Sequence, residues 1–153
     1  MIEIKKLTDK NDPDIEKICD WLFAWWGEFE GFTKEKMRAY VTNSLMENKI
    51  PQTFGAFDDG QLVGIYQFSM QDCEVRPDIY PWLINVFVEK SHRGHGIFKK
   101  MMESIPQTAR DVGIKTLFLF TDHVDLYEKF GWKFVELFKI FNCSTSLAPN
   151  IKA

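Results

Sequence analysis

Apolar and polar positions alternate at the start of the chain. Ile2 and Ile4 lie between charged neighbours, which predicts a short strand over MIEIKKL. The period then lengthens: Ile15, Ile18, Leu22, Trp25 and Trp26 recur mostly at three and four, the mark of a helix with one buried stripe. Asp12-Pro13-Asp14 opens that helix, because Asp12 can cap, Pro13 suits the first helical position and acids favour the positive end of the dipole. Gly27 falls near its end. A second helix is predicted from Thr33, with Met37, Tyr40, Val41, Leu45 and Met46 as its buried stripe. Asp58-Asp59-Gly60 sits between two β-rich runs, so FGAFDDGQLVGIYQFSM reads as a hairpin.

Two prolines in QDCEVRPDIYP argue for a loop. PWLINVFV follows as a strand, and Gly94 to Arg110 as a helix that Pro106 kinks or shortens. KTLFLFT is another strand, HVDLYEKF a short helix stopped by Gly131, and WKFVELFKIFNCS a closing strand pair whose turn has no local signal. The order β-α-α-β-β-β-α-β-α-β-β predicts an α/β fold of the mixed α+β kind around one sheet, not a doubly wound parallel sheet. No repeat or linker divides the chain, so residues 1–153 are read as one domain, long enough to bury about 70% of its unfolded surface.

Composition narrows the function. Fourteen Phe and five Trp point to an aromatic core, and a net charge of -3 speaks against a nucleic-acid partner. Cys19, Cys73 and Cys143 have neither metal-ligand nor disulfide-framework spacing, which fits reduced thiols in a cytoplasm. The N-terminus has no apolar signal-peptide core, and no apolar run approaches the ~18 residues of a membrane span. A cytoplasmic protein with no membrane partner is expected.

Positive charge is nevertheless concentrated in one place. VEKSHRGHGIFKKMM carries Lys90, His92, Arg93, His95, Lys99 and Lys100 against Glu89, between a strand and a helix. Gly94 and Gly96 allow positive φ and close approach of a ligand to the backbone. Successive amides in such a turn, the start of the following helix and the surrounding bases all favour a phosphate or pyrophosphate. A glycine turn with solvated bases fits the same letters. Neither a Walker loop nor a dinucleotide fingerprint is present, since Lys99 stands where the third glycine would be.

Arg93-Gly94-His95-Gly96-Ile97-Phe98 resembles the [QR]xxGx[GA] signature of the GNAT N-acetyltransferase superfamily, which binds the pyrophosphate of acetyl-CoA. PWLINVFVEK resembles that family's fourth strand, LYEKFGW the segment closing its last conserved helix, and FGAFDDGQLVG its second-to-third strand hairpin. The likeness runs from about Thr53 to Phe134. It implies a central, mostly antiparallel mixed sheet flanked by helices, and an acetyl-CoA-dependent N-acetyltransferase that moves the acetyl group to a small amine by direct attack on the thioester. Acetyl-CoA is then a co-substrate, and no metal is expected. Two positions depart from the family: Phe98 replaces a small residue, and Thr121-Asp122-His123 replaces an amide. Phe98 could crowd the pyrophosphate or turn into the core while its amide still binds.

By the same resemblance the cofactor site is Val86, Phe87, Val88, Arg93, Gly94, His95, Gly96, Ile97 and Phe98, with outward amides of Val86 to Val88 on the pantetheine arm and the oxyanion. Tyr127 takes the role of general acid toward the departing thiolate. Asp72, Glu74 and Asp122 are the candidates for a base, though acids at such positions are more often solvated surface groups, and Glu89 could instead face solvent. His92, His95 and His123 lack ligand spacing, and Cys73 has no Cys/His constellation around it. Trp21, Trp25 and Trp26 are read mostly as core, with room for one ring in the acceptor pocket. Seven acids against two lysines between Asp9 and Glu30 would attract a cationic amine, or simply solvate a helix face. A non-catalytic acyl-CoA-binding module is the alternative function, and a homodimer is compatible with either.

Overall fold

The structure, a computed structural model, describes residues 1–136 and 145–148. Its elements are β1 (Ile2–Leu7), α1 (Asp14–Leu22), α2 (Lys34–Thr42), β2 (Gln52–Asp58), β3 (Gln61–Ser69), β4 (Trp82–Val88), α3 (Ile97–Asp111), β5 (Phe118–Thr121), β6 (Lys133–Glu136) and β7 (Thr145–Ala148). The seven strands form one sheet in the order β1-β2-β3-β4-β5-β7-β6, and among the described strands only β4 and β5 pair in parallel. The mixed, mostly antiparallel sheet and the element order follow the sequence pattern.

Each face of the sheet carries its own core. Phe54, Tyr66, Phe68 and Leu83 pack against Ile97, Met101, Met102 and Ile105 of α3. Phe57, Leu62 and Ile65 pack against Ile15, Ile18 and Leu22 of α1 and Met37 and Val41 of α2. Three-and-four spacing therefore marks the buried stripes correctly up to Leu22 and Val41. Beyond those points local hydrogen bonding takes over.

In α1 the chain passes into a π turn at Phe23–Gly27, where the Glu28 amide donates to the Phe23 carbonyl, five residues back. That wider turn rotates the two tryptophans out of the stripe. Trp25 is 51% exposed and leaves the core, whereas Trp26 is half-buried and packs against the edge of the second core. Asp12 accepts from the Asp14 amide as a cap would, with Pro13 one position earlier than expected. Thr33 caps α2 by accepting from Lys36, and α2 ends at Thr42. Leu45 is still buried, but Met46 lies outside the helix and is 37% exposed. The Ser44 hydroxyl competes for the helix end by donating to the Tyr40 carbonyl.

α3 runs through Pro106 without ending there. The short predicted helix before Gly131 is a single 3-10 turn, Tyr127–Phe130, stopped by Gly131 at φ 89°. The closing strand pair is present as β6 and β7, with β7 inserted between β5 and β6, while 137–144 of the predicted run lie outside the described residues. Among the described residues no helix is long and apolar enough to cross a membrane.

Two irregularities place the site. β3 and β4 pair from Gly64↔Val88 to Ile65↔Phe87, then jump to Gln67↔Ile84, so Asn85 and Val86 together face Tyr66 alone. This β-bulge turns the strand and interrupts its ladder. The two strands approach closely just beside it, because a Cβ on Gly64 would lie 2.7 Å from the Phe87 carbonyl. On its other edge β4 pairs with β5 only at Trp82↔Phe118 and Leu83↔Leu119. Past Leu83 the parallel strands splay into a V.

Candidate active site

The V leaves the outer edge of β4 unpaired where the bulge has turned it. The Glu89 amide donates inward to the Val63 carbonyl, so by alternation the amides of Phe87 point inward and those of Val86 and Val88 point into the V. Three cavities run along this strand. A cleft of about 710 Å³ lies over Val86, Phe87 and Val88 and reaches Arg93, Phe98 and Tyr127. A smaller cavity of about 290 Å³ sits at the apex of the V, between Leu83, Val86, Leu119 and Tyr127. A third of about 660 Å³ lies toward the first helices, and Asn85 borders both it and the apex cavity. The bulge is thus the point where two approaches meet.

Asn85 owes its place to an uncommon backbone, with φ at 49°, a region that Asn tolerates better than most residues. Its side chain is fully engaged. Nδ2 donates to the Tyr40 hydroxyl at 3.1 Å and to Gln67 Oε1 at 2.6 Å, and Oδ1 accepts from Trp26 Nε1 at 3.0 Å. The buried Gln67 then donates to Thr53, whose hydroxyl donates to the Ser44 carbonyl. A polar chain therefore ties the bulge to both the π turn and the end of α2. Sequence reading missed Asn85, Gln67 and Tyr40 as parts of a site. The signal available was an Asn inside an otherwise apolar strand run.

At the open end of the V the chain makes the glycine turn. Gly94 and Gly96 have φ of 80° and 81°, and Gly96 sits at the cap of α3 with no side-chain cap bond. Both positions face open space, with nothing within 4 Å of where a Cβ would be. A left-handed pair at the start of a fifteen-residue helix leaves the first amides of that helix unspent, the arrangement that suits an anion. Part of the expected positive charge is used within the turn itself. Arg93 Nε donates to the Val88 carbonyl, His95 Nδ1 lies 3.0 Å from the His92 carbonyl, and His92 Nδ1 lies 3.0 Å from Glu89. Lys90, Lys99 and Lys100 remain exposed. Ile97 is buried in the α3 core, so it can offer a ligand only its backbone.

Phe98 turns inward. Its ring meets Tyr127 and Phe130 edge-on, with both centroids at 5.6 Å, so it backs the wall of the cleft instead of filling the glycine turn. Tyr127 is buried, borders both the larger cleft and the apex, and among the described residues its hydroxyl has no hydrogen-bond partner. Burial first, and the nearby Asp122 charge second, push its pKa up to about 12, so the hydroxyl keeps its proton at neutral pH. His123 borders the same two cavities.

The three candidate bases separate. Asp122 borders the apex cavity, whereas Asp72 and Glu74 line the third cavity with Glu30. Asp72 lines the concave wall with more than a third of its surface open to solvent. Loss of surrounding water pushes its pKa up to about 6. Trp26, Phe32 and Tyr40 form the aromatic side of the same cavity, packed edge-on at 5.1 to 6.1 Å. The acidic run predicted along α1 reaches this wall only through Glu30.

Solved structures with the same architecture include acetyltransferases. One is an aminoglycoside 6'-acetyltransferase type Ii, at TM-score 0.73 and 23% identity over 99% of this chain and 98% of that one. A second is an aminoglycoside 6'-N-acetyltransferase complexed with coenzyme A, at TM-score 0.76 and 18% identity over 99% and 98%. A third is a paia N-acetyltransferase from Thermoplasma acidophilum in complex with coenzyme A, at TM-score 0.67 and 19% identity over 98% and 99%. A search of the curated proteins finds no match. The family model for the acetyltransferase (GNAT) domain matches residues 4–135, well over half of the chain. This chain belongs to the GNAT acetyltransferase family, and is an acyltransferase.

Proposed function

We propose that the protein transfers an acetyl group from acetyl-CoA to a small cationic amine, with the two substrates meeting at the Asn85–Val86 bulge. The observation that carries this reading is the junction itself: an open strand edge with an anion-ready turn at one end, and an acid- and aromatic-lined cavity joining it from the other side. The residues present fit acetyl-CoA. Gly94 and Gly96 offer amides to the pyrophosphate, Val86 and Val88 offer theirs to the pantetheine amides, and the Leu83, Val86 and Leu119 side of the apex suits a thioester.

The chemistry needs only groups of this chain. Asp72, in its carboxylate form above pH 6, takes a proton from the ammonium of the acceptor. The amine nitrogen then bonds to the thioester carbon while the Val86 region stabilises the oxygen. As the carbon–sulfur bond breaks, its electron pair stays on sulfur under a hydrogen bond from the Tyr127 hydroxyl, and the second proton of the attacking nitrogen passes to that sulfur, leaving the amide and the free thiol of CoA. Full proton transfer from a phenol near 12 to a thiolate whose acid is near 8.5 runs uphill. The main work of Tyr127 is therefore hydrogen-bond stabilisation of the leaving group. A cytoplasmic setting agrees with the free Cys19 and Cys73.

Thiol release from acetyl-CoA across a panel of mono-, di- and polyamines tests the function. Amine-dependent release supports it. Tight CoA binding with no release for any amine would leave a binding module instead. The role of Asp72 has its own signature in the pH profile. Its raised pKa means the base form is lost as pH falls through about 6, so kcat/KM should rise through an ascending limb there. Asp72→Asn should abolish that limb and lower kcat/KM by about 10²-fold or more. The same variant should gain thermal stability at pH 7 relative to pH 4. Ionising a carboxylate whose folded pKa is raised above the usual range costs the folded state, and Asn removes that cost.

A further inference from the structure

We propose that Trp25 is the wall that limits acyl-chain length in the apex cavity, so that this enzyme takes acetyl over longer straight-chain donors because of one indole ring. The inference rests on the acyl-CoA reading above.

The π turn is the structural cause. Two five-residue hydrogen bonds, Glu28 N–H to the Phe23 carbonyl and Phe32 N–H to the Gly27 carbonyl, widen the end of α1. Gly27 lets it sit against α2, since a Cβ there would lie 2.5 Å from the Met37 methyl. The adjacent tryptophans then serve different cavities. Trp26 is fastened by its bond to Asn85 and by edge contacts with Phe32 and Tyr40 on the acceptor side. Trp25 goes to the donor side, where it borders both the larger cleft and the apex cavity.

Trp25 has the properties of a partition. Its only ring contact among the described residues is Phe87, at 5.7 Å and 42°, and half of its surface is open. Around the apex, Leu83, Val86, Leu119 and Phe120 present hydrocarbon that would accept an alkyl tail, while Asn85, Thr121, Asp122 and His123 make the rest of the lining polar. The thioester lies at the Val86 bulge, so an acyl tail longer than acetyl must run along the apex wall that Trp25 closes. Trp25, Val86, His123 and Tyr127 line both donor cavities, and cutting the indole back to a methyl group should lengthen the apex toward the larger cleft. Trp21 is the internal control. Its ring also packs on Phe87, at 5.0 Å, and borders the larger cleft, but it does not reach the apex.

Binding of S-ethyl-CoA and S-butyl-CoA, unreactive thioethers, is measured by calorimetry on folded wild type, Trp25→Ala, Trp25→Phe and Trp21→Ala. Wild type should prefer S-ethyl-CoA. Trp25→Ala should shift the butyl-to-ethyl affinity ratio toward butyl by about tenfold, the effect of burying two further methylenes. Trp25→Phe should fall between, and Trp21→Ala should change both affinities with the ratio unmoved. With a competent amine, the butyryl-to-acetyl ratio of kcat/KM should follow the binding ratio. An unchanged ratio in Trp25→Ala, or a wild-type preference for butyl, overturns the inference and leaves acetyl transfer standing. Absence of binding by either thioether overturns the acyl-CoA reading and this inference with it.

Discussion

Tyr127→Phe is expected to lower kcat by about 10²–10³-fold, the loss of one preorganised hydrogen-bond donor to developing charge, with little change in CoA affinity. Phenylalanine keeps the edge contacts with Phe98 and Trp132, so the cleft wall stays in place and only the hydroxyl is lost. Because that hydroxyl has no protein partner among the described residues, its removal leaves no orphaned acceptor to blur the result. The defect should shrink with a donor whose thiol is more acidic, since such a thiolate leaves with less help. Single-turnover rates with the two donors check both points. Equal rates for mutant and wild type remove Tyr127 from the chemistry.

Gly96→Asp is expected to act on the other end of the donor site. It should weaken CoA binding about ten- to a hundredfold relative to Gly96→Ala. Both variants carry the backbone penalty of a side chain at φ 81°, about 1–2 kcal/mol, and neither meets a steric clash. The pair therefore separates strain from charge. Two like charges 4 Å apart repel by about 4 kcal/mol at an effective dielectric of 20, and exposure reduces this further. Calorimetric titration of both folded variants decides it. Equal affinities would take the pyrophosphate away from this turn.

How far the letters carried varied from one part of the molecule to another. The strand–turn–helix from Trp82 to Asp111 was plain, because an apolar run, two glycines and a helical stripe follow each other without conflict. Phe98 was open in the sequence, since side-chain direction at a helix start depends on what lies across from it, here Tyr127 and Phe130. The bulge was hidden. LINVFV reads as an unbroken strand, and a one-residue slip against β3 leaves no mark except the Asn at its centre. Trp25 and Trp26 fit the spacing of the α1 stripe, and only the π turn moves them into two different cavities. Asp72 and Asp122 looked alike as loop acids. Tertiary placement, one on the wall of the third cavity and one bordering the apex with Tyr127, gives them different surroundings. The splay of β4 from β5 depends on two non-local pairings, which no local pattern specifies.

Amide hydrogen exchange along β4 and the glycine turn, with and without CoA, tests the donor site most directly. Val86 and Val88 point into the V and should exchange faster than Phe87 and Glu89, whose amides are paired with β3. CoA should slow Val86, Val88, Gly96 and the first amides of α3 by about tenfold or more, and leave Phe87 and Glu89 nearly unchanged. Bound CoA with Val86 and Val88 exchanging as they do in the free protein would contradict the assignment of the open strand edge as the donor site.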